Sequence, residues 1–228
     1  MNRNLIIRQL GHCDYNDTCQ AMKTFTETRL AHTSDEIWLV EHPPVFTLGR
    51  RGALEHVLDA GNIPVIRADR GGQVTYHGPG QLVVYLLLDI QRRAMGIRSL
   101  VDTIQDTVMA LLRSYGIDSG TRHDAPGVYV NNRKIASIGL RVRRGCCYHG
   151  VSLNIAMDLT PFKQINPCGY AGLEVTQIRD LKGPDEIPRV SARLIDQFTR
   201  TLGYENIICS DTAFDNESLS YIPQRVPA

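Results

Sequence analysis

Two stretches of this chain combine residue types that can carry out covalent chemistry. Residues 67–81, RADRGGQVTYHGPGQ, are dense in glycine and polar side chains and run directly into an apolar segment at 81–90. Gly71 and Gly72 let a backbone approach a ligand closely, Thr75 and His77 offer hydrogen-bonding groups, and Gly78-Pro-Gly80 fixes a turn. Polar loops that feed a core strand often form sites. This one lacks the GxxxxGK(S/T) spacing of a phosphate loop, so the residues alone read equally well as a structural turn. The second stretch is Asn166-Pro-Cys-Gly169, which sets Cys168 in a turn. A cysteine nucleophile acts as the thiolate, and since the free thiol has a pKa near ~8.5, it needs a neighbouring base or cation.

Nothing in the residues by themselves singles out Cys168. The other cysteines are Cys13, Cys19, Cys146, Cys147 and Cys209. No CxxC pair occurs, and the vicinal Cys146-Cys147 lacks a second Cys/His pair to complete a tetrahedral site, so free thiols and no bound metal are expected. A lone cysteine is more often a small buried hydrophobe than a nucleophile. Lys134, beside Asn131-Asn132, reads by default as a solvated hairpin residue. His149 fits a core histidine as well as a site residue, and Cys146 and Cys147 read as bystanders.

The elements that must position these residues follow from periodicity. A strand over 5–10 leads into a helix through Tyr15, Cys19, Met22 and Phe25, with Asp14, Asn16 and Asp17 as capping candidates. Strands are expected at 36–41, 45–48 and 63–68, and the unbroken apolar run 81–90 suits a central strand buried on both faces. Ile97, Leu100, Val101, Ile104, Val108, Leu111 and Leu112 form a helical stripe that Gly116 ends. Residues 127–130 and 134–142 read as strands joined by the Asn-Asn turn, followed by a third at 148–157. A loop at 161–172 and a helix through Val190, Leu194, Ile195, Phe198 and Leu202 complete the order, with the chain after 217 expected to be loose. The pattern predicts one α+β domain around a mixed sheet.

At 228 residues and 43% hydrophobic content the chain buries a sizeable core without staples. A formal charge of +1 provides no global attraction for nucleic acid or an anionic membrane. The first apolar run is too short for a signal core or a membrane span, so a cytoplasmic protein is expected. Arg141, Arg143 and Arg144 form a basic run that reads as a solvated face or as a dock for an acidic carrier.

Residues 70–81 (RGGQVTYHGPGQ) with Tyr85, Lys134-Ile-Ala-Ser-Ile-Gly139, His149-Gly150 and Asn166-Pro-Cys-Gly169 together resemble the lipoyl(octanoyl) transferases. The resemblance runs through most of the chain. It implies a single α+β domain over 1–217, with a mixed β-sheet flanked by helices like the biotin and lipoate protein ligase catalytic domains, and a tail at 218–228. It further implies Cys168 as nucleophile and Lys134 as the group that activates it. Substrate would contact Arg70, Gly71, Gly72, Gln73, Val74, Thr75, Tyr76, His77, Ser137, Ile138, Gly139, Gly150, Val151 and Ser152, with His149 and Gly169 in support. The implied reaction moves an octanoyl group from acyl carrier protein to a lysine of lipoyl domains, in 2-oxoacid dehydrogenase subunits or the glycine-cleavage carrier protein. No cofactor, metal, nucleic acid or membrane is required, and a monomer is expected.

That chemistry suits the residue types. Thioester exchange onto a cysteine keeps the acyl group activated, whereas a serine ester would discard the activation. Lys134 either accepts the thiol proton as an amine or pairs with the thiolate as an ammonium, and burial in an acyl tunnel is expected to favour the amine. Donors for the developing oxyanion are expected from backbone N–H groups at Gly169 or in the RGG loop, joined by His77. The competing readings are an ATP-dependent lipoate or biotin ligase, which needs no cysteine, and a catalytically silent acyl-binding module.

Overall fold

Residues 4–210 are described by the computed structural model of this chain. In chain order the strands are β1 (Asn4–His12), β2 (Asp35–Glu41), β3 (Val45–Leu48), β4 (Val65–Arg67), β5 (Val74–His77), β6 (Gln81–Asp89), β7 (Gly127–Val130), β8 (Arg133–Arg143), β9 (Cys146–Asn154) and β10 (Asn206–Ser210). The helices are α1 (Tyr15–Thr28), α2 (Ile97–Arg113) and α3 (Ile187–Leu202). Seven strands form a mixed sheet in the order β10-β1-β2-β6-β9-β8-β7, and a separate sheet has the order β4-β3-β5. No helix among the described residues is long and apolar enough to cross a membrane.

The composition of β6 follows from its place at the centre of the larger sheet. Leu82, Val84, Leu86 and Leu88 join the core formed by the apolar faces of α2 and α3, with Leu100, Ile104, Val108, Val190, Leu194 and Phe198. The alternate residues Val83, Tyr85 and Leu87 face the opposite way, into the core that α1 closes with Tyr15, Cys19 and Met22. Both faces are covered, so the run is apolar without alternation. The α1 N-terminus is capped by Asp14, whose side chain accepts from the backbone N–H of Asn16 at 2.7 Å and of Asp17 at 3.2 Å.

Three local expectations change in the fold. Residues 74–77, inside the glycine-rich stretch, form β5 and pair antiparallel with β3, Thr75 facing Thr47 and Tyr76 facing Phe46. Val74 and Tyr76 pack with Phe46, Leu48, Met157, Phe162 and Ile165, so the polar segment carries an alternating strand that its flanking glycines disguise. β10 was not foreseen; it lies parallel to β1 with Asn206 opposite Asn4. The third meander strand starts at Cys146 rather than Tyr148 and ends at Asn154. The expected tail at 218–228 lies outside the described residues.

One buried carboxylate ties the edges of this frame together. Asp35, at the start of β2 and fully buried, accepts from Arg29 Nη2 and Arg92 Nη2 at 2.7 Å each. It also accepts from the Asp89 backbone N–H at 2.8 Å and the Tyr204 hydroxyl at 2.7 Å. Removing one partner of such a cluster strands the others. Asp35→Ala is expected to cost about 3–5 kcal/mol, read as a fall in the urea midpoint at unchanged m-value; a shift close to zero would remove the cluster from the forces that hold the sheet.

Candidate active site

Lys134 is the second residue of β8 and only 2% exposed, far from the solvated hairpin lysine that is its default reading. The turn before it places Asn131 at φ 49° and Asn132 at φ 64°, the paired positive values of a tight two-residue hairpin. On its far side β8 receives the segment that follows Cys168. The Lys134 N–H donates to the Glu174 carbonyl, and the Thr176 N–H donates to the Lys134 carbonyl, each at 2.9 Å. This return brings Cys168 back against β8, and the Lys134 ammonium Nζ lies 2.8 Å from Cys168 Sγ. Nζ also sits 3.4 Å from the Pro126 carbonyl and 5.2 Å from the centre of the Tyr129 ring.

Room for the lysine stem depends on Gly127. A Cβ there would stand 3.1 Å from Lys134 Cε and 2.6 Å from the Ala136 carbonyl, and the residue sits at φ 151°. Cys168 lies in the short turn Pro167–Gly169 with φ 57° and ψ 17°, a left-handed conformation that costs a non-glycine residue about 1–2 kcal/mol. The turn is held by Asn166 N–H donating to His56 O at 2.8 Å and Gly169 N–H donating to Asn166 O at 2.9 Å.

Burial disfavours the Lys134 ammonium, but the adjacent Cys168 sulfur and the Tyr129 hydroxyl outweigh it, and the net shift is upward. The expectation that burial would favour the neutral amine is thereby corrected: the lysine is desolvated, yet the group able to carry the opposing charge is in contact with it.

Cys168 opens into a narrow cleft of about 50 Å³. One wall is Arg70, Gly72, Gln73, Val74, Thr75 and His77. The floor is Ser137, Ile138 and Gly139 of β8 with His149, Gly150, Val151 and Ser152 of β9. Tyr15 of α1 and Val83 and Tyr85 of β6 also line it. Tyr15 and Val83 were not anticipated, although Val83 and Tyr85 share the face of β6 that α1 covers. Of the other residues expected at the substrate, Tyr76 packs in the core of the small sheet and does not line the cleft. Gly71 donates its N–H to the Leu140 carbonyl at 2.9 Å and does not line the cleft, and Gly169 lies behind Cys168 under the Gln73 side chain.

The loop above the cleft is fastened from within. Arg70 donates to the Thr47 carbonyl at 2.6 Å, to Thr47 Oγ1 at 2.7 Å and to the Gly71 carbonyl at 2.9 Å. Asp69 accepts from His149 Nε2 at 2.8 Å and from the Tyr148 hydroxyl. Burial pushes the Asp69 carboxyl up, but these two bonds outweigh it and hold it below the ordinary carboxylate range. Cys19, Asp69 and His149 each present one donor atom within 4.8 Å of the others, and within that set Asp69 is bonded to His149. The basic run on β8 is split, because Arg143 pairs with Glu27 of α1.

Behind the cleft, His77 Nδ1 meets Gln81 Oε1 at 2.7 Å and its Nε2 meets Thr47 Oγ1 at 3.3 Å. His42, which the sequence did not mark, meets the Tyr85 hydroxyl at 2.7 Å and the Cys13 carbonyl at 2.8 Å. Burial lowers His42 to about 4, and burial, reinforced by the neighbouring His42 ring and the Arg70 guanidinium, lowers His77 to about 3. Both rings are neutral in the folded chain at pH 7, whereas the unfolded chain takes up these protons below about pH 6.5. Stability is therefore full above pH ~6.5 and is lost as pH falls toward 4, by roughly 3 kcal/mol from His42 alone. Urea unfolding across this range is expected to show that limb, and His42→Gln to flatten it by a similar amount; an unchanged slope in the variant would refute the assignment. Gly127→Ala is expected to displace Lys134 and slow iodoacetamide alkylation of Cys168 several-fold at neutral pH, followed by mass spectrometry beside a thermal melt.

The sequence profile of the lipoyl protein ligase A/B catalytic domain matches residues 14–199. The chain is 53% identical to an octanoyltransferase of Vibrio vulnificus over 213 residues, 93% of this chain and 98% of that protein. It is 54% identical to an octanoyltransferase of Shewanella denitrificans over 206 residues, 90% of this chain and 91% of that one. Among solved structures it is similar in fold to lipoate-protein ligase A bound with ATP, with a TM-score of 0.74 at 18% identity, covering 96% of this chain and 93% of that one. Biotin protein ligase from Aquifex aeolicus in complex with biotin and ATP follows with 0.55 at 13% identity, over 88% and 70%. With one profile spanning residues 14–199 and half-identical relatives along nearly its whole length, the chain belongs to the lipoyl protein ligase A/B catalytic domain family.

Proposed function

We propose that this protein is a cytoplasmic acyltransferase that moves an octanoyl group from octanoyl-acyl-carrier protein to the acceptor lysine of lipoyl domains through a thioester on Cys168, the first step of endogenous protein lipoylation. The observation that carries the reading is the 2.8 Å contact between Lys134 Nζ and Cys168 Sγ at the mouth of a cleft. The octanoyltransferase names of the half-identical relatives support it.

In the first half-reaction the Cys168 thiolate adds to the thioester carbonyl, and the bond to the carrier sulfur breaks. The departing thiolate takes a proton from the Lys134 ammonium, leaving an acyl-enzyme beside a neutral amine. In the second, the neutral amine of the acceptor lysine attacks the acyl-enzyme and gives its surplus proton to Lys134, while the Cys168 thiolate leaves. Protons and charge balance over the cycle, and the ammonium–thiolate pair is restored. The acceptors are lipoyl domains of 2-oxoacid dehydrogenase subunits and the glycine-cleavage carrier protein. The working unit in this reading is a monomer.

The fold likeness to ATP-bound ligases raises a second reading, activation of a free acid as its adenylate. Incubation with octanoyl carrier protein is set against free octanoate plus ATP, with intact-mass spectrometry of enzyme and acceptor. The expected result is an octanoyl adduct on the enzyme with the carrier alone, absent in Cys168→Ala; full-rate transfer by that variant would overturn the mechanism. Lys134→Ala is expected to lose at least about 10²-fold in transfer rate while still showing a cooperative thermal melt.

A further inference from the structure

The developing oxyanion of the acyl transfer needs a hydrogen-bond donor at the cleft mouth, and most groups expected to supply one are committed elsewhere. The Gly169 N–H donates to Asn166 O at 2.9 Å and the Gly71 N–H to Leu140 O at 2.9 Å. Both ring nitrogens of His77 are engaged, with Gln81 and Thr47. The two terminal nitrogens of the Arg70 guanidinium are folded back onto Thr47 and Gly71, and its Nε, though unpartnered, is buried.

Gln73 differs from all of these. It lines the same cleft as Cys168, and its carboxamide lies directly over the residue that follows the cysteine: a Cβ on Gly169 would stand 3.1 Å from Gln73 Nε2 and 3.2 Å from its Cδ. Its Oε1 is buried with no hydrogen-bond partner. No hydrogen bond within the protein holds this carboxamide; Oε1 can only accept, so the capacity relevant to an oxyanion is that of Nε2, which has no hydrogen-bond partner among the described residues. Glycine at 169, with φ 79°, is what allows the carboxamide to sit so close to the nucleophile's turn.

We propose that Gln73 is a further catalytic residue, donating from its side-chain amide to the carbonyl oxygen of the acyl thioester as Cys168 adds to it. When the carbon–sulfur bond forms, the carbonyl π pair moves onto oxygen, and the Gln73 N–H meets that charge. When the tetrahedral species collapses, the pair returns and the carrier sulfur leaves with a proton from Lys134. The amide itself gains and loses no proton. The same donor serves the second tetrahedral species, formed when the acceptor amine attacks. This inference rests on the Cys168 acyl-transfer reading given above.

The test is single-turnover acylation of Cys168 by an octanoyl thioester of pantetheine, read by intact-mass spectrometry, in the parent protein and in Gln73→Met and Gln73→Glu. The two replacements are near-isosteres without an amide donor, chosen so that a folding defect in one does not decide the matter. Iodoacetamide alkylation of the same thiol runs alongside, because displacement at its carbon develops no oxyanion. Acylation is expected to slow by about 10²–10³-fold in both variants, with the alkylation rate and thermal melt unchanged. Acylation of Gln73→Met at the parent rate overturns the assignment. So does an equal loss in acylation and alkylation, which would make Gln73 a support for the thiol. Failure of the parent itself to acylate while its thiol still alkylates sinks the acyl-enzyme reading, and the role of Gln73 with it.

Discussion

A lysine amine with 2% exposure inside a β-sheet is tolerable only where something offsets its desolvation, and here that is the Cys168 sulfur at 2.8 Å. Much of the surrounding geometry follows from keeping the two together. Gly127 leaves space for the stem, the Asn-Asn hairpin starts β8 at the right residue, and the Glu174–Thr176 segment pairs with Lys134 so that the Cys168 turn returns to it. The cysteine itself takes a left-handed backbone, a local cost borne by the bonds that hold the turn to His56 and Asn166.

The larger sheet supplies the rigid backing. Because β6 is packed on both faces, its two sets of side chains cannot move independently, and Tyr85 and Val83 hold fixed positions in the cleft wall. The glycine-rich loop is polar and would otherwise be mobile. Arg70, anchored on Thr47, and Asp69, anchored on His149 and Tyr148, tie it to both the small sheet and β9. Protein hydrogen bonds consumed in fastening the loop are unavailable to a substrate. This is why His77, buried and neutral behind the cleft, shapes the wall instead of facing the reacting carbon.

The fold is shared with ligases whose structures were solved with ATP bound. A common frame of this kind can serve activation of a free acid or exchange of a thioester, since the chemistry resides in the side chains placed at the cleft and not in the sheet. Cysteine at position 168 is the residue type that suits thioester exchange, and the buried lysine beside it is the residue type that suits a proton passed out and back.

The sequence by itself determined the elements whose signals are local. The α2 stripe, the apolar β6 run, the Asn-Asn turn and the Asp14 cap are written at spacings of one to four residues and were legible for that reason. Motif resemblance pointed to the three segments that line the cleft and to Cys168 with Lys134 as its activator, but not to the other groups around them. Tertiary structure decided the rest. β5 was hidden between glycines because its alternation becomes meaningful only against Phe46 and Leu48 of another strand. β10 depends on pairing with β1 across almost the whole chain. Whether Lys134 is charged depends on the balance between its burial and a sulfur remote in sequence, and whether Gly169 or His77 can donate depends on partners that the fold assigns. Those are sums over non-local contacts, and no pattern of neighbouring residues encodes them.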